Sequence, residues 1–317
     1  TIYLINDVGR ILWKLPIEGK INSEVYQVDM FKNGKLQYLF STPGHLYLID
    51  RNGNYLPRFP LAFKSPCERG ISVADYENNK NYRVVAPGAD HQVSGNFVKG
   101  WDVPKSDNDI VSKIYHFRVE GKDYLVYADR YRLYILDRKG KERVKVSTLL
   151  NLSANTSLYL TKQNGQMKMA FMDANGEIVL VNFRGQVERI KGEEMIGGGM
   201  FNVEDVNNDG QDEFIYTLKN RIVVMDNKGK LLFEKHWEDS ELDFPYIYRF
   251  SARDSRIGIM DGKGERLFLL DMKEVSKGFP IRGNSPFSIA FGDNGSAGFY
   301  LFAGSDGTHL LKYRVLR

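Results

Sequence analysis

Short apolar runs, rich in β-branched and aromatic residues, recur along the chain, and each is cut off in the same way. The run ends in Asp or Asn, two variable residues and Gly, and a second apolar stretch follows. The phrase reads YLINDVG over Tyr3–Gly9, LYLIDRNG over Leu46–Gly53, LYILDRKG over Leu133–Gly140, VLVNFRG over Val179–Gly185 and IVVMDNKG over Ile222–Gly229. LFLLDMKE over Leu267–Glu274 has lost the glycine, and a worn copy lies near Val93–Trp101. Marker positions 9, 53, 95, 140, 185, 229 and 274 are 44, 42, 45, 45, 44 and 45 residues apart. Each phrase predicts a hairpin, because Asp-x-x-Gly closes a tight turn and Gly accepts the positive φ such a turn requires. A second hairpin precedes it. Val25–Val28 runs through Asp29 and Gly34 into Leu36–Phe40, Phe201–Val203 through Asp205 and Gly210 into Phe214–Leu218, and Phe287–Phe291 through Asp293 and Gly295 into Phe299–Phe302. Every period therefore holds four strands, A to D. No stretch sustains an apolar period of about 3.6 residues, so almost no helix is expected.

Four antiparallel strands repeated every ~40–50 residues describe a blade of a β-propeller. A lone blade cannot bury both faces, so blades stack around an axis, and closing the ring leaves no end blade exposed. Whole A–D sets end near residues 61, 101, 146, 190, 235 and 281, which gives six blades. Residues 1–15 add a C–D hairpin and residues 286–317 add strands A, B and C, so both chain ends together are expected to close a seventh. The expectation is one all-β domain over 1–317, a seven-bladed propeller of four-stranded antiparallel blades. The ends supply one strand more than seven such blades hold. An eight-bladed ring lacking N-terminal strands is therefore the alternative, and the chain is expected to be part of a longer one.

Composition adds little to the fold but narrows the chemistry. The 317 residues include 44 Lys and Arg against 40 Asp and Glu, a net charge of +4, with 42% apolar and 26% charged residues, which suits a chain that buries a core. No apolar run approaches the ~18 residues needed to span a bilayer. The single cysteine, Cys67, excludes an intramolecular disulfide and a Cys-rich metal site.

Leu133–Gly140, followed by an aromatic in the next strand such as Trp13 or Phe233 in sister copies, resembles the quinoprotein-like (PQQ-like) propeller repeat. Asp205–Glu213 (DVNNDGQDE) is similar to the calcium loop of FG-GAP or VCBS-type propeller repeats. Asn52–Pro60 and Lys277–Pro280 resemble segments of bacterial cell-envelope propellers of unassigned function. The resemblance implies an exported protein that is periplasmic, on the cell surface or secreted, with membrane association only through a segment upstream of Thr1.

Three places carry candidate chemistry. Residues 204–213 hold five carboxylates. Oxygen groups at alternate positions of a tight loop suit a hard cation such as Ca²⁺. Asp205, Asn207 and Asp209 stand at the first, third and fifth places, Gln211 offers its backbone carbonyl and Glu213 closes the set, where the resembled pattern usually has Asp. The expected ion is a structural clip, and the competing reading is an ordinary polar turn. The second place is the loop end of the blades, formed by Lys64–Arg69, Trp101–Asp109, Lys191–Gly199 and Trp237–Tyr246. Arg69, Trp237, Glu238, Asp239 and Tyr246 are the candidate ligand-binding residues there, because exposed rings with neighbouring carboxylates suit a protein or a glycan. The third place, the basic strand with Lys141, Arg143 and Lys145, reads as edge protection and not as a nucleic-acid site. The five histidines show no metal-ligand spacing, and no nucleophile or phosphate-loop motif is present. The chain thus reads as a non-catalytic binding module, and the resemblance implies that it belongs to the bacterial cell envelope. The alternative is an enzyme with its site in the propeller channel, a quinone-dependent dehydrogenase or a glycan hydrolase or lyase.

Overall fold

The computed structural model describes residues 1–88, 93–95, 106–154, 156–191, 200–293 and 298–316. Among them there is no helix, and 28 strands form eight antiparallel sheets. The chain divides into two compact units, 1–156 and 157–317.

The first unit opens with a two-stranded sheet of β1 (Ile2–Ile5) and β2 (Ile11–Leu15). A four-stranded sheet follows, made of β3 (Tyr26–Val28), β4 (Gln37–Ser41), β5 (His45–Ile49) and β6 (Leu61–Ala62). Next come β7 (Ser72–Ala74), β8 (Arg83–Pro87) and β9 (Val93–Gly95). The unit ends with β10 (Tyr115–Val119), β11 (Lys122–Ala128), β12 (Leu133–Leu136) and β13 (Glu142–Lys145).

The second unit repeats the plan three times in full. Its first sheet holds β14 (Tyr159–Gln163), β15 (Gln166–Met172), β16 (Ile178–Asn182) and β17 (Val187–Ile190). The second holds β18 (Met200–Glu204), β19 (Glu213–Leu218), β20 (Arg221–Met225) and β21 (Leu231–His236). The third holds β22 (Leu242–Ser251), β23 (Asp254–Asp261), β24 (Arg266–Leu270) and β25 (Ile281–Arg282). A last sheet has β26 (Ser288–Asp293), β27 (Gly298–Ser305) and β28 (Leu310–Leu316).

The recurring turn has one physical cause. In Asn6, Asp50, Asp137, Asn182 and Asp226 the side-chain Oδ1 accepts the N–H groups two and four residues on. The glycine three residues on donates its N–H to the backbone carbonyl of the same Asp or Asn, with φ between 77° and 87°. This is a three-residue hairpin whose last residue is left-handed. Asp173 and Gly176 build the same turn between β15 and β16.

Consecutive sheets pack face to face within each unit. The middle strands are buried on both sides, as in β16, where all five residues are buried, while outer strands such as β13 are mostly exposed. One face of the β18–β21 sheet, with Phe214, Tyr216, Val223 and Met225, packs on Ala170, Ile178 and Leu180. Its other face, with Ile215, Ile222 and Val224, packs on Leu242, Ile257, Ile259 and Leu270. Burying a large apolar side chain stabilises by roughly 1.5–3 kcal/mol, so these double-sided sheets hold each unit together.

Two expectations are corrected. Among the described residues six successive sheets, from β3 to β25, follow the blade plan, and they form neither a seventh nor an eighth blade. The expected closing blade is two separate sheets, β1–β2 and β26–β28, with no ladder between them among the described residues. Turn spacing registers hairpins, and a hairpin does not specify what its outer edges pair with. In addition, Trp237–Tyr246 is not one long loop, because Leu242–Ser251 is the ten-residue strand β22. A register shift between Leu242 and Pro245 lets the strand carry a proline. The end of the worn copy near Trp101, with the fourth strand expected there, lies outside the described residues, as do 192–199 and the turn at 294–297.

Candidate functional site

The acidic hairpin lies between β18 and β19, which pair from Met200–Thr217 to Glu204–Glu213. Asp205 closes it from below, Oδ1 accepting the Asp209 N–H and Oδ2 the Gly210 N–H. Glu213, 1% exposed, accepts the N–H groups of Val206 and Asn207 on Oε2 and the Asn207 carboxamide on Oε1 at 3.0 Å. The same carboxamide nitrogen donates to Asp209 Oδ2 at 3.1 Å. Burial pushes the Glu213 carboxyl up to about 7, with the Asp209 and Asp205 charges adding to the rise and the two backbone N–H groups opposing it. Burial also raises Glu204, against the opposing pull of Arg249, with which it pairs. Asp212 leaves the loop to accept the Thr161 hydroxyl at 2.8 Å.

The groups facing the loop are oxygen donors suited to a hard cation. In the arrangement described, however, the position between Asp209 and Glu213 is taken by Asn207 Nδ2, and the Gln211 side chain donates to the Gly210 carbonyl. Among the described residues no group of three or more His, Cys, Asp or Glu side chains is placed to hold a metal ion. The hairpin between β3 and β4 has the same frame without the acids. There Asp29 accepts the Asn33 and Gly34 N–H groups, and Gln37, eight residues on, accepts the Met30 N–H. The loop frame thus recurs without the acid cluster, with the Lys80 ammonium also donating to Asp29 Oδ2.

The aromatic and acidic residues sit at the turn from β21 to β22. The Trp237 N–H donates to the Asn220 carbonyl, and the half-buried indole leans on Phe268 at 4.9 Å with the Lys235 ammonium 5.7 Å from its ring. Glu238 and Asp239 beside it are exposed, and Lys263 reaches Asp239 at 3.3 Å. The turn is anchored by Asp261, which accepts the Ser240 hydroxyl, the Glu241 N–H and Arg266 Nε. Burial works to raise the Asp261 carboxyl, but these donors hold it below the usual carboxylate range.

Trp237, Glu238 and Asp239 are therefore together, whereas Tyr246 is not with them. Tyr246 lies within β22, paired with Gly258 and edge-on to Phe244 at 5.3 Å. It packs with Tyr248 and Met260, whereas Trp237 packs with Ile257 and Ile259, so the two rings lie on opposite faces of one sheet. Arg69 belongs to the first unit and donates Nε to the Ile110 carbonyl at 3.2 Å.

Sequence reasoning missed a charged cluster around Asp123. This buried carboxylate bonds His116 Nε2 at 2.8 Å and the Arg138 guanidinium, which also pairs with Glu77 and lies 4.9 Å over the Tyr76 ring. Burial works to raise Asp123, but His116 and Arg138 hold it low. The readable signal was an Asp at the end of an apolar run, Asp123 just before Tyr124–Ala128 and Asp261 just after Ile257–Met260.

Neither family models nor curated proteins match the chain. Solved structures do. BamB from Moraxella catarrhalis is 13% identical with a TM-score of 0.58, covering 97% of this chain and 88% of its own. BBS1N, solved in complex with ARL6DN, is 10% identical with a TM-score of 0.61, covering 92% and 91%. Apo AztD from Citrobacter koseri is 12% identical with a TM-score of 0.54, covering 98% and 90%. The fold is a β-propeller. At these identities the likeness speaks for architecture alone.

Proposed function

We propose that this chain is a non-catalytic, protein-binding propeller module of the bacterial cell envelope, engaging its partner at the turn around Trp237. The observation that carries the reading is a tryptophan braced from behind by Phe268 and rimmed by the exposed carboxylates of Glu238 and Asp239. A rigid ring within a charged rim is the usual make-up of a binding hot spot, and the acids select a partner with a basic face. That BBS1N was solved bound to ARL6DN supports a propeller of this shape serving as a docking platform. The test captures partners with the wild-type chain and with Trp237→Ala and Asp239→Lys chains of unchanged melting temperature. One protein bound by the wild type and lost from both variants supports the reading. Identical capture by all three refutes it, and binding to a glycan array that depends on Trp237 would make the ligand a sugar. The envelope assignment, which comes from the sequence resemblance, is tested by fractionating cells that express the full-length protein.

Calcium at the Asp205–Glu213 loop is proposed as a structural clip, held by the carboxylates of Asp205, Asp209 and Glu213, the Asn207 carboxamide and the Gln211 carbonyl. An ion there would have to displace Asn207 Nδ2 from between its two carboxylates. A Ca²⁺-dependent rise in melting temperature that Asp209→Ala abolishes supports the clip, and its absence in the wild type rules it out.

A further inference from the structure

Asparagine before glycine is open to spontaneous loss of ammonia, because glycine has no Cβ to bar its backbone nitrogen from the asparagine carboxamide. The chain holds five such pairs, at 33–34, 52–53, 164–165, 175–176 and 294–295, of which the last lies outside the described residues. What separates the other four is whether the fold already holds the glycine N–H, the group that must attack.

In three of them it does. The Gly34 N–H donates to Asp29 Oδ2 at 2.9 Å, and Asn33 Oδ1 accepts the Lys35 N–H at 3.0 Å. The Gly53 N–H donates to the Asp50 carbonyl at 3.1 Å, under a Trp13 ring so close that a Cβ on Gly53 would lie 2.8 Å from it. The Gly176 N–H donates to the Asp173 carbonyl at 3.0 Å, and Gly176 is buried. Asn164 and Gly165 are held differently. They are the whole turn between β14 and β15, whose last paired residues are Gln163 and Gln166. Their φ values are 49° and 77°, the pattern of a two-residue hairpin turn with both central residues left-handed. Such a turn is closed by its flanking residues, which leaves the central N–H groups to solvent. Among the described residues neither the Gly165 N–H nor the Asn164 carboxamide has a hydrogen-bond partner. Both residues are exposed, and nothing lies within 4 Å of where a Gly165 Cβ would stand.

We propose that Asn164 is a site of spontaneous deamidation, which converts the β14–β15 turn to aspartate and isoaspartate. The Gly165 amide gives its proton to solvent and its nitrogen bonds to Asn164 Cγ. The Cγ–Nδ2 bond breaks, and ammonia leaves with a proton from solvent. Water then opens the resulting five-membered succinimide. Opening at Cγ gives aspartate. Opening at the backbone carbonyl gives isoaspartate, in which the chain runs through the former side chain and gains one methylene. The sequence needs no oxidant or reductant, and solvent supplies the water. Either product lowers the net charge from +4 by one. Isoaspartate also lengthens a turn whose flanks dock on the next sheet, where Gln163 Nε2 donates to the Asn227 carbonyl at 3.1 Å and the Thr161 hydroxyl to Asp212 at 2.8 Å. The change therefore loosens the joint between the β14–β15 hairpin and the acidic hairpin. This site is separate from the Trp237 turn and stands or falls without it.

The experiment ages the folded wild-type chain in mildly alkaline buffer, with a parallel sample in urea, and maps peptides by mass spectrometry with fragmentation that tells isoaspartate from aspartate. In the folded chain Asn164 should convert at least about tenfold faster than Asn33, Asn52 or Asn175, a ratio worth ~1.4 kcal/mol, about the net value of the one hydrogen bond the other glycines must first give up. In urea the four rates should converge. Asn164→Gln should remove the acidic form that accumulates on ion exchange, and the isoaspartate fraction of the wild type should melt below the fresh chain. The proposal is overturned if Asn164 stays intact in the folded chain while it converts in urea, if the other three convert as fast as Asn164 when folded, or if the acidic form persists in Asn164→Gln. An isoaspartate fraction that melts with the fresh chain overturns the loosening of the joint. The rate comparison uses the wild-type chain alone, so it does not depend on any variant folding.

Discussion

Replacing Glu213 by Gln should make the protein less sensitive to pH, and the size of the effect follows from the burial of this one carboxyl. Glu213 is 1% exposed, and its pKa is raised from 4.5 to about 7. A carboxyl with a raised pKa binds its proton more tightly in the folded state than in the unfolded one. Its contribution to stability is therefore full below pH 4.5 and is lost as pH climbs through about 7. At about 1.4 kcal/mol per pH unit, the whole swing is about 3 kcal/mol. Gln is a fair replacement because the protein already uses it: Gln37 occupies the equivalent position between β3 and β4 and accepts the Met30 N–H at 2.8 Å, as Glu213 accepts that of Val206 at 3.0 Å. Urea unfolding of both proteins between about pH 5 and 8 isolates the term, since the depressed carboxylates Asp29, Asp123 and Asp261 are common to both and cancel in the difference. The Glu213→Gln chain should gain on the wild type by about 3 kcal/mol as pH rises across that window. A difference that stays flat, or that grows toward acid, refutes the reasoning.

Three further outcomes test the packing. Gly229→Ala should cost about 1–3 kcal/mol in thermal unfolding, because the residue sits at φ +87° and the new Cβ would lie 2.5 Å from Ile190 Cγ2; Gly34→Ala, at φ +79° with nothing within 4 Å, should show only the backbone part. Tyr76→Phe should leave stability unchanged or raise it by about 1–2 kcal/mol in chemical unfolding, since the buried Tyr76 hydroxyl has no hydrogen-bond partner among the described residues. Cys67 is 1% exposed and burial pushes its thiol up to about 12, so iodoacetamide at about pH 8 should label it, by mass spectrometry, only after urea is added.

The strand plan was legible because it is written locally. An Asp or Asn that caps two N–H groups, followed by a glycine at positive φ, fixes a hairpin whatever surrounds it. The expected blade ends near 146, 190, 235 and 281 accordingly fall within one residue of the ends of β13, β17, β21 and β25. Pairing at the chain ends was not legible, since edge partners are chosen by packing and no local signal names them. The Trp237 segment misled for a related reason. Pro245 and four acids read as a loop, yet alternating apolar residues through Tyr246, Tyr248 and Phe250 bury against Met260 and Phe302 and hold the segment extended. Tyr246 was thereby drawn to the face away from Trp237.

The acidic loop shows how far composition reaches. Five carboxylates in ten residues suggest a cation, but each has a protein donor once its contacts are followed. Glu204 pairs with Arg249, Asp205 and Glu213 accept backbone N–H groups, Asp209 accepts Asn207 Nδ2 and the Gln211 N–H, and Asp212 accepts the Thr161 hydroxyl. The turn between β3 and β4 reaches the same shape with Gln37 and no acid cluster, so the excess of charge is not what shapes the loop. What the extra charge does is raise Glu213, through Asp205 and Asp209 acting on a carboxyl that burial has already lifted. A divalent ion bound among these groups would reverse that rise, because opposite charge favours the ionised form. Ca²⁺ should therefore pull the pH-dependent loss of stability to lower pH in the wild type and leave Glu213→Gln unmoved. A wild-type profile that Ca²⁺ does not shift would leave the five carboxylates with bonding to their protein neighbours as their whole role.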